Sequence, residues 1–223
     1  MTTHWIQWHK KYDDPDSHLP RRLAVVRARI AEALDRCPPG PIRVVSMCAG
    51  DGRDLLHVLQ THPRSADVSG RLVELNPDLA ERARAAAHPE RSRAAAQSKE
   101  PPHIEIACRD AGESDAYEGA VPADLVLCCG VFGNISDEHI RATINAWPML
   151  CAPGATVIWT RAKFETDLRD TVRGWVEDAG FKEISFDGAP EPYGVGVAQM
   201  VREPETYRRG VRFFTFVLPE QAK

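Results

Sequence analysis

The chain has 223 residues, 43% of them hydrophobic and 27% charged, the balance of a globular protein able to bury a full core. Lys and Arg number 28 against 32 Asp and Glu, a formal charge of -4, so there is no basic excess to grip a nucleic acid backbone. No apolar run approaches a membrane span, and the charged opening residues lack the apolar core of a secretory signal; a single domain, residues 1–223, in the cytoplasm is expected.

Residues 1–40 read as a cap. Trp5, Trp8, His9 and Tyr12 gather aromatic and titratable groups ahead of a helix whose stripe is Leu23, Val26, Ile30 and Leu34, ended by Pro38-Pro39-Gly40. Residues 41–218 then alternate short apolar runs with helical patterns. Strands are predicted at 41–48, 71–75, 104–108, 124–129 and 155–160; the first, fourth and fifth are almost continuously apolar, as strands covered on both faces are. Asn76 caps a helix with Pro77 at its first position, and Ser136 caps one carrying Ile140, Ile144 and Trp147. Phe164, Leu168, Val172, Trp175 and Val176 trace a third helical face, which stops at Gly180. Residues 88–102 form a polar, Ala-rich insertion. Two last strands, 181–186 and 212–217, lack a crossover helix between them and are therefore antiparallel, joined by a Gly- and Pro-rich connector at 188–211. The pattern predicts an α/β three-layer domain: a mostly parallel seven-stranded sheet with one antiparallel C-terminal strand and an N-terminal helical cap.

The six cysteines (Cys37, Cys48, Cys108, Cys128, Cys129 and Cys151) form no C-x-x-C pair, and no H-E-x-x-H arrangement occurs. Reduced thiols and no metal are expected.

In an open parallel sheet the ligand lies at the carboxyl ends of the strands. Strand one ends in Cys48-Ala49-Gly50-Asp51-Gly52-Arg53-Asp54, a glycine turn leading into a helix, where backbone approaches a ligand closely. Glu74 follows strand two and suits the two hydroxyls of a ribose; Asp110 follows strand three and suits an exocyclic amine. Each residue alone also fits a plain turn or cap. Together, in order, they describe a nucleoside site. Leu55 stands where a dinucleotide fingerprint has its third glycine, which argues against a nicotinamide oxidoreductase.

On SMCAGDGRDLL, RLVELNP, ACRDAG, ADLVLCCGVFGNIS and LCAPGATVIWTR, the chain resembles the class I S-adenosylmethionine-dependent methyltransferases from about residue 41 to 218. The resemblance implies S-adenosyl-L-methionine (SAM) as cofactor. It gives Ala49, Gly50, Asp51 and Gly52 to the methionine and ribose side, Glu74 with Leu75 to the ribose, and Asp110 with Ala111 to the adenine. Cys129, Gly130 and Val131 then pass near the reactive methyl. The family commonly has an acid where Ser46 stands and a glycine where Cys48 stands; Asp51 is the candidate to compensate. Those departures also fit a protein that binds the nucleoside without transferring anything.

Methyl transfer is an in-line displacement governed by alignment and desolvation, so no catalytic triad is demanded. His9, Tyr12 and Tyr193 are the candidates for a base, should the acceptor need one. Trp8, Phe132, Asn134, Arg161 and Tyr193 are the candidate acceptor contacts, with Glu165 an alternative partner for Arg161. A small-molecule acceptor of oxygen or nitrogen type is expected, with neither nucleic acid nor membrane as partner.

Overall fold

A computed structural model of the chain describes Tyr12, Asp14 and residues 16–87 and 103–217. Trp5, Trp8, His9 and the 88–102 insertion lie outside the described residues. The elements in chain order are α1 (Leu19–Arg36), β1 (Ile42–Met47), α2 (Leu55–Leu59), β2 (Val68–Val73), α3 (Pro77–Ala87), β3 (His103–Ala107), β4 (Ala123–Cys128), α4 (Asp137–Ala146), β5 (Cys151–Ala162), α5 (Arg169–Asp178), β6 (Phe181–Asp187) and β7 (Tyr193–Met200).

One seven-stranded sheet runs β3-β2-β1-β4-β5-β7-β6. β1 pairs in parallel with β2, Met47 beside Val73, and with β4, Ser46 beside Leu127. β7 runs antiparallel to both neighbours and sets Gly196 beside Trp159 on one side and Phe186 on the other. Alternate residues of each central strand serve opposite faces. Val44, Leu125, Leu127 and Val197 meet α1, α2 and α3, while Val45, Val126, Val157 and Ala198 meet α4 and α5. The domain is therefore a three-layer α/β/α sandwich. No helix of the described residues is long and apolar enough to cross a membrane.

The predicted caps form. Asn76 Oδ1 accepts from the backbone N–H of Asp78 and Leu79, and Ser136 Oγ accepts from His139 N–H at 3.2 Å. Three expectations need correction. The reversed strand is 193–200, inside the stretch read as a connector. Residues 212–217 form no strand of the sheet; they belong to a strap that returns across the strand ends, bridged once between Glu113 and Arg212. Phe164 lies before α5 rather than on it, and is 48% exposed. On α1 the expected Val26, Ile30 and Leu34 are buried, Leu23 is half-buried, and Arg22, four residues before Val26, extends the same buried stripe.

Candidate functional site

Sheet order reverses between β1 and β4, and the crevice of such a sheet opens at the carboxyl ends of those two strands. The loop leaving β1 turns through three residues of positive φ: Cys48 at 52°, Gly50 at 60° and Gly52 at 72°. Glycine adopts this backbone freely, whereas Cys48 carries steric strain there. The loop is pinned by Ala49 N–H donating to Val73 O at 3.0 Å and Gly52 N–H donating to Ala49 O at 2.9 Å.

Glu74 clasps this loop from the end of β2. Its Oε2 accepts from Gly50 N–H at 2.8 Å, and its Oε1 accepts from Asn76 N–H at 2.7 Å. One carboxylate thus ties the glycine turn to the start of α3. Burial pushes the Glu74 carboxyl above its ordinary value, against the opposing pull of those backbone donors. Leu75 N–H is a third backbone donor to the same carboxylate, which leaves part of its lone-pair capacity open. Leu75, next along, is 58% exposed and offers an apolar face at the same strand end.

Asp110 is more committed than its sequence position suggests. Its Oδ1 accepts from Gly112 N–H at 2.8 Å, and its Oδ2 accepts from Arg212 Nη1 at 2.7 Å. Arg212 also holds Glu113, so the strap is clamped onto this turn by two acids. Ala111 is buried, and its carbonyl accepts from Tyr117 Oη at 2.8 Å.

Across the crevice, Gly130 donates its N–H to Thr160 Oγ1 at 2.8 Å, and Asn134 Nδ2 donates back to Gly130 O at 2.7 Å. Asn134 therefore folds its own loop. Cys129 is half-buried, and burial pushes its thiol far above the ordinary range. Val131 is fully buried. Phe132, expected to touch the acceptor, is a core ring, fully buried and stacked on Trp147 at 5.8 Å and tilted against Trp159 at 6.0 Å. Tyr193 opens β7 instead of riding a loop; it is 3% exposed, its ring stacked on His18 at 5.9 Å. Arg161 donates to Phe132 O and packs under Phe164, with no ion pair to Glu165.

Tyr12 reaches the crevice. Its hydroxyl accepts from Arg22 Nη2 at 2.9 Å, and the Arg53 guanidinium lies 4.6 Å over its ring. Burial raises the phenol pKa despite the opposing pull of Arg22, so Tyr12 stays protonated. Trp8 and His9 lie outside the described residues. Asp51, the expected substitute for the missing acid at Ser46, is held by Arg53 Nη2 at 2.5 Å. The acid buried at this loop is instead Asp54, which caps α2 through Leu55 N–H at 2.7 Å and lies within electrostatic reach of Tyr12 and Cys129. Its sequence signal was an Asp directly before the apolar run Leu55-Leu56, a cap signature. Arg22 had no such signal.

No protein-family model and no curated protein matches the sequence. Among solved structures, the backbone is similar to the magnesium protoporphyrin IX methyltransferase of Synechocystis, crystallised with bound SAM, at TM-score 0.65 and 14% identity over 89% of this chain and 92% of that one. The fold is that of the class I methyltransferases. An O-methyltransferase family protein from Burkholderia thailandensis has TM-score 0.61 and 18% identity over 81% of this chain, which spans only 55% of that protein's length. The N-methyltransferase NodS of Bradyrhizobium japonicum has TM-score 0.55 and 16% identity, over 87% and 99% of the two chains. This fold is common to O- and N-methyltransferases.

Proposed function

We propose that this chain is a SAM-dependent methyltransferase, an enzyme that passes a methyl group to an oxygen or nitrogen of a small-molecule acceptor. The observation that carries the reading is the Glu74 clasp: an acid at the end of β2 holding the glycine loop through Gly50 N–H, beside the reversal of sheet order. The residues suit the cofactor. Glu74 would take the ribose hydroxyls with the lone-pair capacity its three backbone donors leave, and Leu75 would face the base. Asp110 and Ala111 would border the adenine, with Asp110 held in place by Arg212. Ala49, Gly50, Asp51 and Gly52 would line the methionine side, and Cys129, Gly130 and Val131 the methyl side.

When bound, SAM supplies a methyl on a positively charged sulfur that leaves readily. What the chain adds is orientation and exclusion of water. Tyr12 covers the β1 loop between Arg22 and Arg53, narrowing water's access to the crevice. Its proton stays on Oη, so Tyr12 donates a hydrogen bond to an acceptor and leaves proton removal to acceptors acidic enough to need no base. A cytoplasmic location belongs to the same reading and suits six free cysteines.

Isothermal titration with S-adenosylhomocysteine tests the proposal. Binding is expected, and Glu74→Ala should weaken it by about ten-fold or more, the scale of a lost charge-assisted hydrogen bond. Absence of heat at millimolar ligand would sink the reading.

A further inference from the structure

Arg161 is the residue that the fold leaves least explained. It occupies the carboxyl end of β5, beside the Gly130–Asn134 loop, and is 7% exposed. Nη1 donates to Phe132 O, but Nε has no hydrogen-bond partner among the described residues. The guanidinium lies 4.7 Å over the Phe164 ring, and the same ring covers Gly133, where an added Cβ would stand 3.4 Å from Phe164 Cζ.

Four more exposed arginines of this chain each hold a carboxylate, Arg29 that of Asp187, Arg71 that of Glu105, Arg169 that of Asp167 and Arg173 that of Glu183, whereas Arg27 and Arg43, also more exposed, donate to backbone carbonyls at the wetter surface. The more deeply buried Arg161 has none within ion-pairing distance among the described residues. Asp137 and Asp167 act on it only at longer range, and Asp167 is already bound by Arg169 at 2.6 Å. Propping up one carbonyl needs a single donor, which a lysine or an asparagine supplies. An uncompensated buried guanidinium is far costlier, because a charge taken from water must find its counter-charge elsewhere. Burial accordingly lowers its pKa.

We infer that Arg161 is the receptor for a carboxylate on the acceptor, with the Phe164 ring as the apolar wall beside it, so that the substrate class is a small aromatic or similarly apolar acid. A planar fork that retains an unused Nε–H matches carboxylate geometry, and a ring stacked on its face matches an apolar body. The word acceptor rests on the methyltransferase reading; the anion site does not.

Benzoate and its neutral isostere benzamide serve as probes on the full chain, with and without S-adenosylhomocysteine. Benzoate should bind about ten-fold or more tightly than benzamide, the scale of a hydrogen bond to a charged group. Benzoate alone should move the Arg161 Nε–H resonance in a nitrogen–proton correlation spectrum, identified by its loss in Arg161→Lys. Arg161→Gln should abolish the preference while S-adenosylhomocysteine still binds, and Arg161→Lys should keep part of it. Equal binding of the two probes, an unmoved resonance, or a preference that survives in Arg161→Gln overturns the proposal. If Arg161→Gln fails to fold, the wild-type probe pair and the resonance decide. Benzoate preference without S-adenosylhomocysteine binding would fell the methyltransferase reading and leave the anion site standing; the reverse result would remove only the anion site.

Discussion

Cys48 holds a left-handed backbone, φ 52°, at the position where the family that the sequence resembles commonly has a glycine. Backbone strain kept in a loop at a candidate site points to a shape that matters more than local energy. It also yields a clean comparison. Cys48→Ala and Cys48→Gly both delete the thiol, but only glycine relaxes the backbone. Glycine should therefore stand about 1 kcal/mol above alanine in urea denaturation, and equal midpoints would show that the loop carries no strain. The placement of Glu74 and the glycine turn at neighbouring strand ends was legible in the sequence because it depends on spacing along the chain. Asp54 and Arg22 were less so. An N-cap aspartate looks the same whether buried or solvated, and Arg22, though four residues before Val26 on the buried stripe, reads as a solvated charge until its bond to Tyr12 is seen.

At the scale of elements, β7 shows why glycine misleads. Gly194 and Gly196 made residues 188–211 read as a loop, because glycine is depleted in strands. In the folded sheet these glycines make room for rings. A Cβ on Gly196 would lie 2.2 Å from Trp159 Cε2, and one on Gly194 would lie 2.6 Å from Phe186 Cζ. The strand is glycine-rich because its cross-strand neighbours are large. Gly196→Ala should accordingly cost about 2 kcal/mol or more, the scale of overpacking a core. Gly174, inside α5, has open space where its Cβ would stand, and Gly174→Ala should raise stability by up to about 1 kcal/mol through helix propensity alone. Thermal and urea melts of the two variants should move in opposite directions. A neutral Gly196→Ala would mean that Trp159 can turn aside.

For the whole molecule, the question is what holds the C-terminal strap across the strand ends, since the strap carries the arginine that fixes Asp110. Two kinds of bond are available. Arg212 pairs with Asp110 and Glu113, but its side chain is 43% exposed and its partners 40% and 50%. Ion pairs so wet contribute less than about 1 kcal/mol, and salt weakens them. Phe213 and Phe214, by contrast, are each 1% exposed; Phe213 packs on Tyr117 at 6.1 Å and Phe214 meets Phe216 edge-on at 5.5 Å. Backbone bonds accompany them, Phe213 N–H donating to Gly112 O at 2.7 Å and Ser114 N–H to Val211 O at 2.9 Å. The same apolar run that read as a seventh strand thus closes the core under the α4 and α5 layer, and the burial of consecutive phenylalanines, which a half-covered strand would alternate, is what distinguishes the two. Burial should dominate. Phe213→Ala should cost about 3–5 kcal/mol in urea denaturation, whereas Arg212→Ala should cost less than about 1 kcal/mol, and that small loss should shrink further at high salt. If the order of the two variants were reversed, the strap would be an electrostatic flap; in the expected order it is part of the core, and the turn bearing Asp110 is as permanent as the sheet beneath it.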